Sequence, residues 1–156
     1  MLKWIWLSAL VIVLDQVTKY MAVHMLVMHE PLAVMPMFNL TLMYNTGAAF
    51  SFLSEAGGWQ RWFFTGVALL VSLVIFNWLR SLQDGQRLQA VALSLVLGGA
   101  LGNVIDRLLL GHVVDFIQLY YDRWYWPAFN IADSAITVGV VLLIFDTLRR
   151  GKQSGN

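Results

Sequence analysis

The 156-residue chain contains no cysteine, which excludes disulfides, thiolate zinc sites and a cysteine nucleophile. Charge is nearly as scarce. Only 12% of the residues are Asp, Glu, Lys or Arg, roughly half the share of about 25% that a soluble domain carries, so the solvent of this surface is lipid. The net charge is +1 and no basic run exists to neutralise phosphates, which argues against a nucleic-acid partner. His24, His29 and His112 are scattered, with no HExxH arrangement, so a zinc hydrolase is not supported. There is no GxSxG element. Gly98-Gly99-Ala100-Leu101-Gly102 lies inside an apolar run rather than between a strand and a helix, which speaks against a phosphate loop.

What the chain has is apolar length. Hydrophobic residues make up 59% and the mean hydropathy is +0.67. Four runs, about 4–23, 59–79, 88–105 and 132–148, are long enough to cross about 30 Å of hydrocarbon as helices. The first is interrupted by Asp15 and Lys19 and is followed by no small-x-small site, unlike a cleavable signal peptide. The expected fold is an all-α polytopic membrane protein, a single membrane-embedded domain over 1–156, with outer loops at 24–58 and 106–131 and a flexible tail at 151–156. Within the first loop, FNLTLMYN alternates apolar and polar residues as a half-exposed strand does. Asn45-Thr46-Gly47 reads as a turn, and AAFSF after it as a returning strand, so a small β-hairpin is expected on the outer face.

Four spans place both termini on one side. Taking that side as cytoplasmic gathers six of the ten Lys and Arg there, in the positive-inside direction. The aromatic cluster Tyr120, Tyr121, Trp124, Tyr125, Trp126 and Phe129 then falls at the outer interface, where amphipathic rings anchor.

Asp115 and Asp133 lie 18 positions apart, each against apolar residues and both at that outer interface. Two carboxylates held close share a proton, because both cannot ionise cheaply. Such a pair supplies a base for water and an acid for a carbonyl or leaving amine, the two roles that peptide hydrolysis needs. Each Asp also has a plainer reading. Asn130 precedes Asp133 by three, the spacing of a helix N-cap and an N3 acid, and a helix dipole there favours the anion, which makes Asp133 the ionised partner. Asp115, in VVDFI, would be the protonated one, or else a surface-strand carboxylate paired with Arg107 or Arg123. Asp84, Asp122 and Asp146 read as ordinary solvated or interfacial charges. Asp15 and Lys19, at i and i+4, read either as a neutralised pair with Lys19 snorkelling outward or as braces for a polar site. Asn103 and Arg107 share a helical face from which Asp106 is offset, and Gly98 and Gly102 allow close helix approach.

Four segments together resemble lipoprotein signal peptidase, the type II signal peptidase of bacteria: LDQVTK, YNTGAAFSF, GGALGNVIDR with GHVVDFI, and FNIADSAI. Their joint order among four spans carries the resemblance, over about the first 148 residues. It implies a metal-independent aspartyl endopeptidase without a cofactor, one that cleaves prolipoproteins before a diacylglyceryl-modified cysteine. Asp115 and Asp133 match the catalytic pair. Asn45, Gly47, Asn103, Arg107 and Asn130 match residues that bind substrate or brace the pair, and Asp15 and Lys19 match structural support. The resemblance further implies a monomer in the bacterial inner membrane, with cytoplasmic termini and a site near the periplasmic surface, lipid as a partner, globomycin as an inhibitor, and the hairpin as a cradle for the signal peptide. An ion or proton transporter built on Asp15, Lys19, Asp115 and Asp133 is the alternative, although no inverted repeat is visible.

Overall fold

The computed structural model describes residues 1–47 and 58–153, with side chains through residue 150. After a 3-10 turn at Leu2–Trp4, the elements are α1 (Ile5–Met25), β1 (Leu32–Met35), β2 (Phe38–Asn45), α2 (Trp59–Ser81), α3 (Arg87–Leu109), β3 (Val113–Tyr121), β4 (Trp124–Tyr125) and α4 (Ile131–Gln153). All four helices are long and apolar enough to cross a membrane. Their outward faces carry bare hydrophobic side chains, such as Trp6, Val13, Val17, Leu70, Leu73, Val141 and Phe145. In water such a surface would aggregate; in hydrocarbon it needs no cover. The chain is a multi-pass membrane protein.

The third helix is the centre of the bundle. Two-thirds of its apolar window is buried (67%), against 28, 22 and 17% for the first, second and fourth spans. Packing around one helix in lipid, where no hydrophobic force pulls helices together, depends on close van der Waals approach and small residues. Both are present. A Cβ on Gly98 would lie 2.8 Å from the Ser8 carbonyl oxygen of α1, and one on Gly99 would strike the Ala132 carbonyl oxygen of α4. One strip of α3 therefore receives α1 and the adjacent strip receives α4. Leu93 and Leu97 of α3 share a core cluster with Ile75 and Leu79 of α2, while Val96 also meets α4 at Gly139.

The helices run past the expected ends. The third span, expected to end near 105, continues to Leu109, so Asn103, Asp106 and Arg107 lie in its final turns, with Arg107 in the last. Asp146, expected to be an ordinary solvated or interfacial charge, is buried at 4% and ion-paired with Arg150 on the next turn at 2.7 Å.

The two connections, α1–α2 and α3–α4, meet in one four-stranded antiparallel sheet in the order β1-β2-β3-β4. The FNLTLMYN strand does form a hairpin, but with the preceding LAVM segment, across a turn in which Met37 adopts φ 70°. Its other edge pairs with β3, Met43 opposite Asp115 and Asn45 opposite Val113, with a bulge between Leu40 and Met43. The expected returning strand, AAFSF, lies outside the described residues. A separate core of Ala22, Leu42, Val114 and Phe116 fastens the sheet to the last turns of α1, and so sets the height of Asp115 on the bundle.

Close approach at Gly99 predicts that Gly99→Ala forces α3 and α4 apart and destabilises the fold by roughly 1–3 kcal/mol. Gly66→Ala on α2, where an added Cβ meets nothing within 4 Å, is neutral or slightly stabilising. Thermal unfolding of both variants in the same detergent distinguishes the two sites.

Candidate active site

Asp133 enters the site through the start of α4. Asn130 Oδ1 accepts the Asp133 backbone N–H at 2.9 Å, and the Asn130 backbone N–H donates to Asp133 Oδ2 at 3.3 Å. This is a reciprocal capping arrangement that answers two backbone donors at once. It leaves Asp133 Oδ1 free to accept Asn103 Nδ2 at 2.8 Å. Capping therefore occurs, and it aims the carboxylate rather than consuming it.

Asp115 enters through β3, 3% exposed. Asn130 Nδ2 donates to its Oδ1 at 2.7 Å and Asn45 Nδ2 to its Oδ2 at 3.2 Å. Its hydrogen bonds thus come from amides and not from Arg107 or Arg123. One residue, Asn130, fully buried, touches both carboxylates. Burial, and next the charge of Asp133, raise the Asp115 carboxyl from its ordinary 3.8 to about 7, against the opposing pull of Asn45, Asn130 and Lys19.

Asn45 also accepts the Gly47 backbone N–H on its Oδ1 at 3.0 Å, an Asx turn that holds the end of β2. Arg107 Nη2 donates to the Gly47 carbonyl at 3.0 Å, with its guanidinium 5.8 Å from the Phe64 ring centre. Arg107 therefore braces the Asn45–Gly47 turn at the end of β2. A cleft of about 190 Å³ opens over Asp115, bounded by Asn45, Tyr44, Tyr125, Trp126 and Pro127. A larger apolar groove of about 680 Å³ separates α1 from α2, but it reaches only to Ile12 and Leu101 and touches neither Asp.

Beneath the two carboxylates lies a buried ionic cluster. Lys19 Nζ is 2.7 Å from Asp15 Oδ2, 2.9 Å from Asp106 Oδ2 and 3.0 Å from Asn103 Oδ1. Lys19 does not snorkel outward; at 3% exposure it is enclosed. Asp106 and Gln16 are the members that the sequence reading left out of the site. Gln16 Nε2 donates to Asp106 Oδ1 at 2.8 Å, and Asp106 Oδ2 accepts the Val114 backbone N–H at 3.0 Å. The i, i+3 spacing of Asn103 and Asp106, beside a Gln adjoining Asp15, was the available signal.

All nine residues singled out from the sequence fall in one connected region at the sheet end of the bundle. Among the described residues no group of three or more His, Asp or Glu is placed to hold a metal. The donor set is carboxylates braced by amides, suited to proton transfer to and from a bound water or carbonyl.

The family model described as "Signal peptidase (SPase) II" matches residues 7–149. A lipoprotein signal peptidase of Pseudomonas paraeruginosa is 55% identical over 156 residues, covering 99% of this chain and 92% of that one. One of Alteromonas mediterranea is 51% identical over 150 residues, 96% and 82% of the two chains. A solved bacterial membrane enzyme superposes with a TM-score of 0.84 at 35% identity, covering 97% of this chain and 90% of its own. A second gives 0.77 at 36% identity, covering 94% and 92%.

The raised Asp115 value has a sign that two measurements read. The protonated form contributes stability that is fully present below 3.8 and is lost as the pH rises through about 7. The melting temperature should fall across that window in the wild type and fall less in Asp115→Asn. In Asp133→Asn the midpoint of Asp115, followed by carboxyl ¹³C NMR, should drop but stay above 3.8, because burial, the larger cause, remains.

Proposed function

The chain belongs to the signal peptidase II family of membrane proteases, and we propose that it is an aspartyl endopeptidase that removes signal peptides from prolipoproteins. Cleavage falls before a diacylglyceryl-modified cysteine. The observation that carries this reading is the meeting of Asp115 and Asp133 at Asn130, which hydrogen-bonds to both carboxylates.

The chemistry follows from unequal surroundings. Asp133, at the positive end of α4, is the ionised base; Asp115, with its raised value near 7, holds the proton. Water attacks the scissile carbonyl carbon and gives its proton to Asp133, while Asp115 protonates the carbonyl oxygen. The tetrahedral diol then collapses. Asp133 passes its proton to the leaving amine as the C–N bond breaks, and Asp115 recovers its own from a diol hydroxyl. No metal and no covalent intermediate enters this sequence. The Asn45, Asn103 and Asn130 amides hold the carboxylates in place, and Arg107 with Gly47 shapes the rim.

A lipid-modified cysteine brings its peptide bond to the boundary of water and hydrocarbon, and a dyad at the end of the bundle, under a sheet, can serve that depth. The exposed Tyr121, Trp124, Tyr125 and Trp126 suit an interfacial belt on the same side. On this reading the sheet is the periplasmic cradle that clamps the signal helix, both termini are cytoplasmic, the membrane is the bacterial inner membrane, the enzyme acts as a monomer, and globomycin-type lipopeptides block the site.

The test is cleavage of a diacylglyceryl-modified prolipoprotein by purified protein in detergent with a chelator present. Asp115→Asn and Asp133→Asn should each lower kcat by about 10²–10⁴ while retaining the wild-type melting profile at low pH. Undiminished cleavage in either variant removes that residue from the dyad, and inhibition of the wild type by chelator removes the metal-free mechanism.

A further inference from the structure

Lys19 touches neither carboxylate of the dyad, yet the side-chain amides of Asn103 and Asn130 that reach them are linked to it through the Asn103 oxygen. An ammonium only donates. The Asn103 side-chain atom 3.0 Å from Lys19 Nζ must therefore be its oxygen, and the amide nitrogen must face the other way, toward Asp133 Oδ1 at 2.8 Å. The same Asn103 oxygen accepts Asn130 Nδ2 at 3.2 Å. The second amide is held the same way round by that contact together with others: its nitrogen also meets the Val114 carbonyl at 3.3 Å and Asp115 Oδ1, and its oxygen accepts the Asp133 backbone N–H. Were Asn103 turned over, its nitrogen would face the Lys19 ammonium and the Asn130 nitrogen, donor against donor, among side chains that are all buried.

The two carboxylates that hold Lys19 act on the backbone as well. Asp106 Oδ2 accepts the N–H of Val114, the residue before Asp115, at 3.0 Å. Asp15 Oδ1 accepts the N–H of Ala132, the residue before Asp133, at 2.9 Å. Both Asp15 and Asp106 are ion-paired to the same ammonium, at 2.7 and 2.9 Å.

We infer that Lys19 is a positioning residue: one buried ammonium sets the orientation of the two amides that face Asp115 and Asp133 and, through Asp15 and Asp106, anchors the backbone immediately before each of them. This rests on the reading of Asp115 and Asp133 as the dyad. It goes beyond support of the helix packing, because it ties the cation to the direction of specific N–H bonds.

The charged and hydrogen-bonding groups facing Lys19 are Asp15 from its own helix and Asp106 and Asn103 from α3, with Gln16 closing the cluster against Asp15 and Asp106. Removing the cation removes a charge that favours the ionised form of Asp115, so the pH at which Asp115 releases its proton moves up.

The experiment uses the full chain in detergent and compares wild type, Lys19→Met and Lys19→Met/Asp106→Asn. The double variant relieves the uncompensated carboxylate yet keeps an acceptor for the Val114 N–H, so one of the pair remains folded by melting profile. In the folded variant kcat for the diacylglyceryl-modified prolipoprotein should fall by about 10²-fold, the scale of a small misplacement of reacting groups. KM should stay near the wild-type value, and where Lys19→Met itself folds the alkaline limb of its kcat–pH profile should shift upward. The side-chain ¹⁵N–¹H₂ signals of Asn103 and Asn130, sharp and exchange-protected in the wild type, should broaden or lose protection. A folded variant with near-wild-type kcat, or one whose kcat falls with an unmoved pH limb and unchanged amide signals, overturns the inference. Failure of the dyad reading is distinguished by the controls: a wild type that does not cleave, or an Asp115→Asn that does, removes that reading, while the amide signals still decide whether Lys19 orients Asn103 and Asn130.

Discussion

A lysine ammonium withdrawn from solvent must have its charge balanced and its three N–H groups accepted, or the fold bears several kcal/mol of desolvation without return. Lys19 meets both needs with Asp15, Asp106 and Asn103. Those partners come from α1 and α3; Asp15 reaches the α4 start through its other oxygen, and Asp106 reaches β3 through the same Oδ2 that meets Lys19. The ion cluster is thus the point where three helices and the sheet are registered against one another. Removing one member of such a cluster leaves an unpaired charge in a medium that cannot solvate it, which makes its geometry all-or-none.

That registration requires the helices to approach closely, and the small residues of α3 permit it. At Gly102 an added Cβ would sit 2.7 Å from Asp15 Oδ2, so the glycine is what lets the carboxylate lie against the helix backbone. Beside it, Gly99 admits the first turn of α4, the turn that carries Asp133. Packing and chemistry share the same face of α3: the glycines set the spacing, and Asn103 and Asp106, one turn further, use it.

The position of the site along the bundle follows from what lipid forbids. Carboxylates and amides are costly within hydrocarbon unless every one is answered, so the polar network is confined to one end and is nearly saturated internally. The sheet brings backbone that has already paired its hydrogen bonds to that end, and it delivers Asp115 on a strand whose neighbours, Val114 and Phe116, are buried against α1. The raised affinity of Asp115 for its proton is a consequence of the same enclosure.

The number of spans, their approximate limits and nine polar residues that the structure gathers at one end were legible in the amino-acid order, because apolar runs of twenty residues have few alternatives and because charges inside them need a reason. Capping of α4 by Asn130 and Asp133 was legible too, since it is a contact between residues three apart. The pairing of β2 with β3 and the place of Asp106 and Gln16 beneath the dyad were not. Each depends on partners that are far away in sequence, from Gln16 to Asp106 across 90 positions and from Asp15 to Ala132 across 117. The sequence by itself determined which side chains must be kept from lipid; only the tertiary structure decided which of them answer one another, because direction and distance of a hydrogen bond are properties of helices already packed.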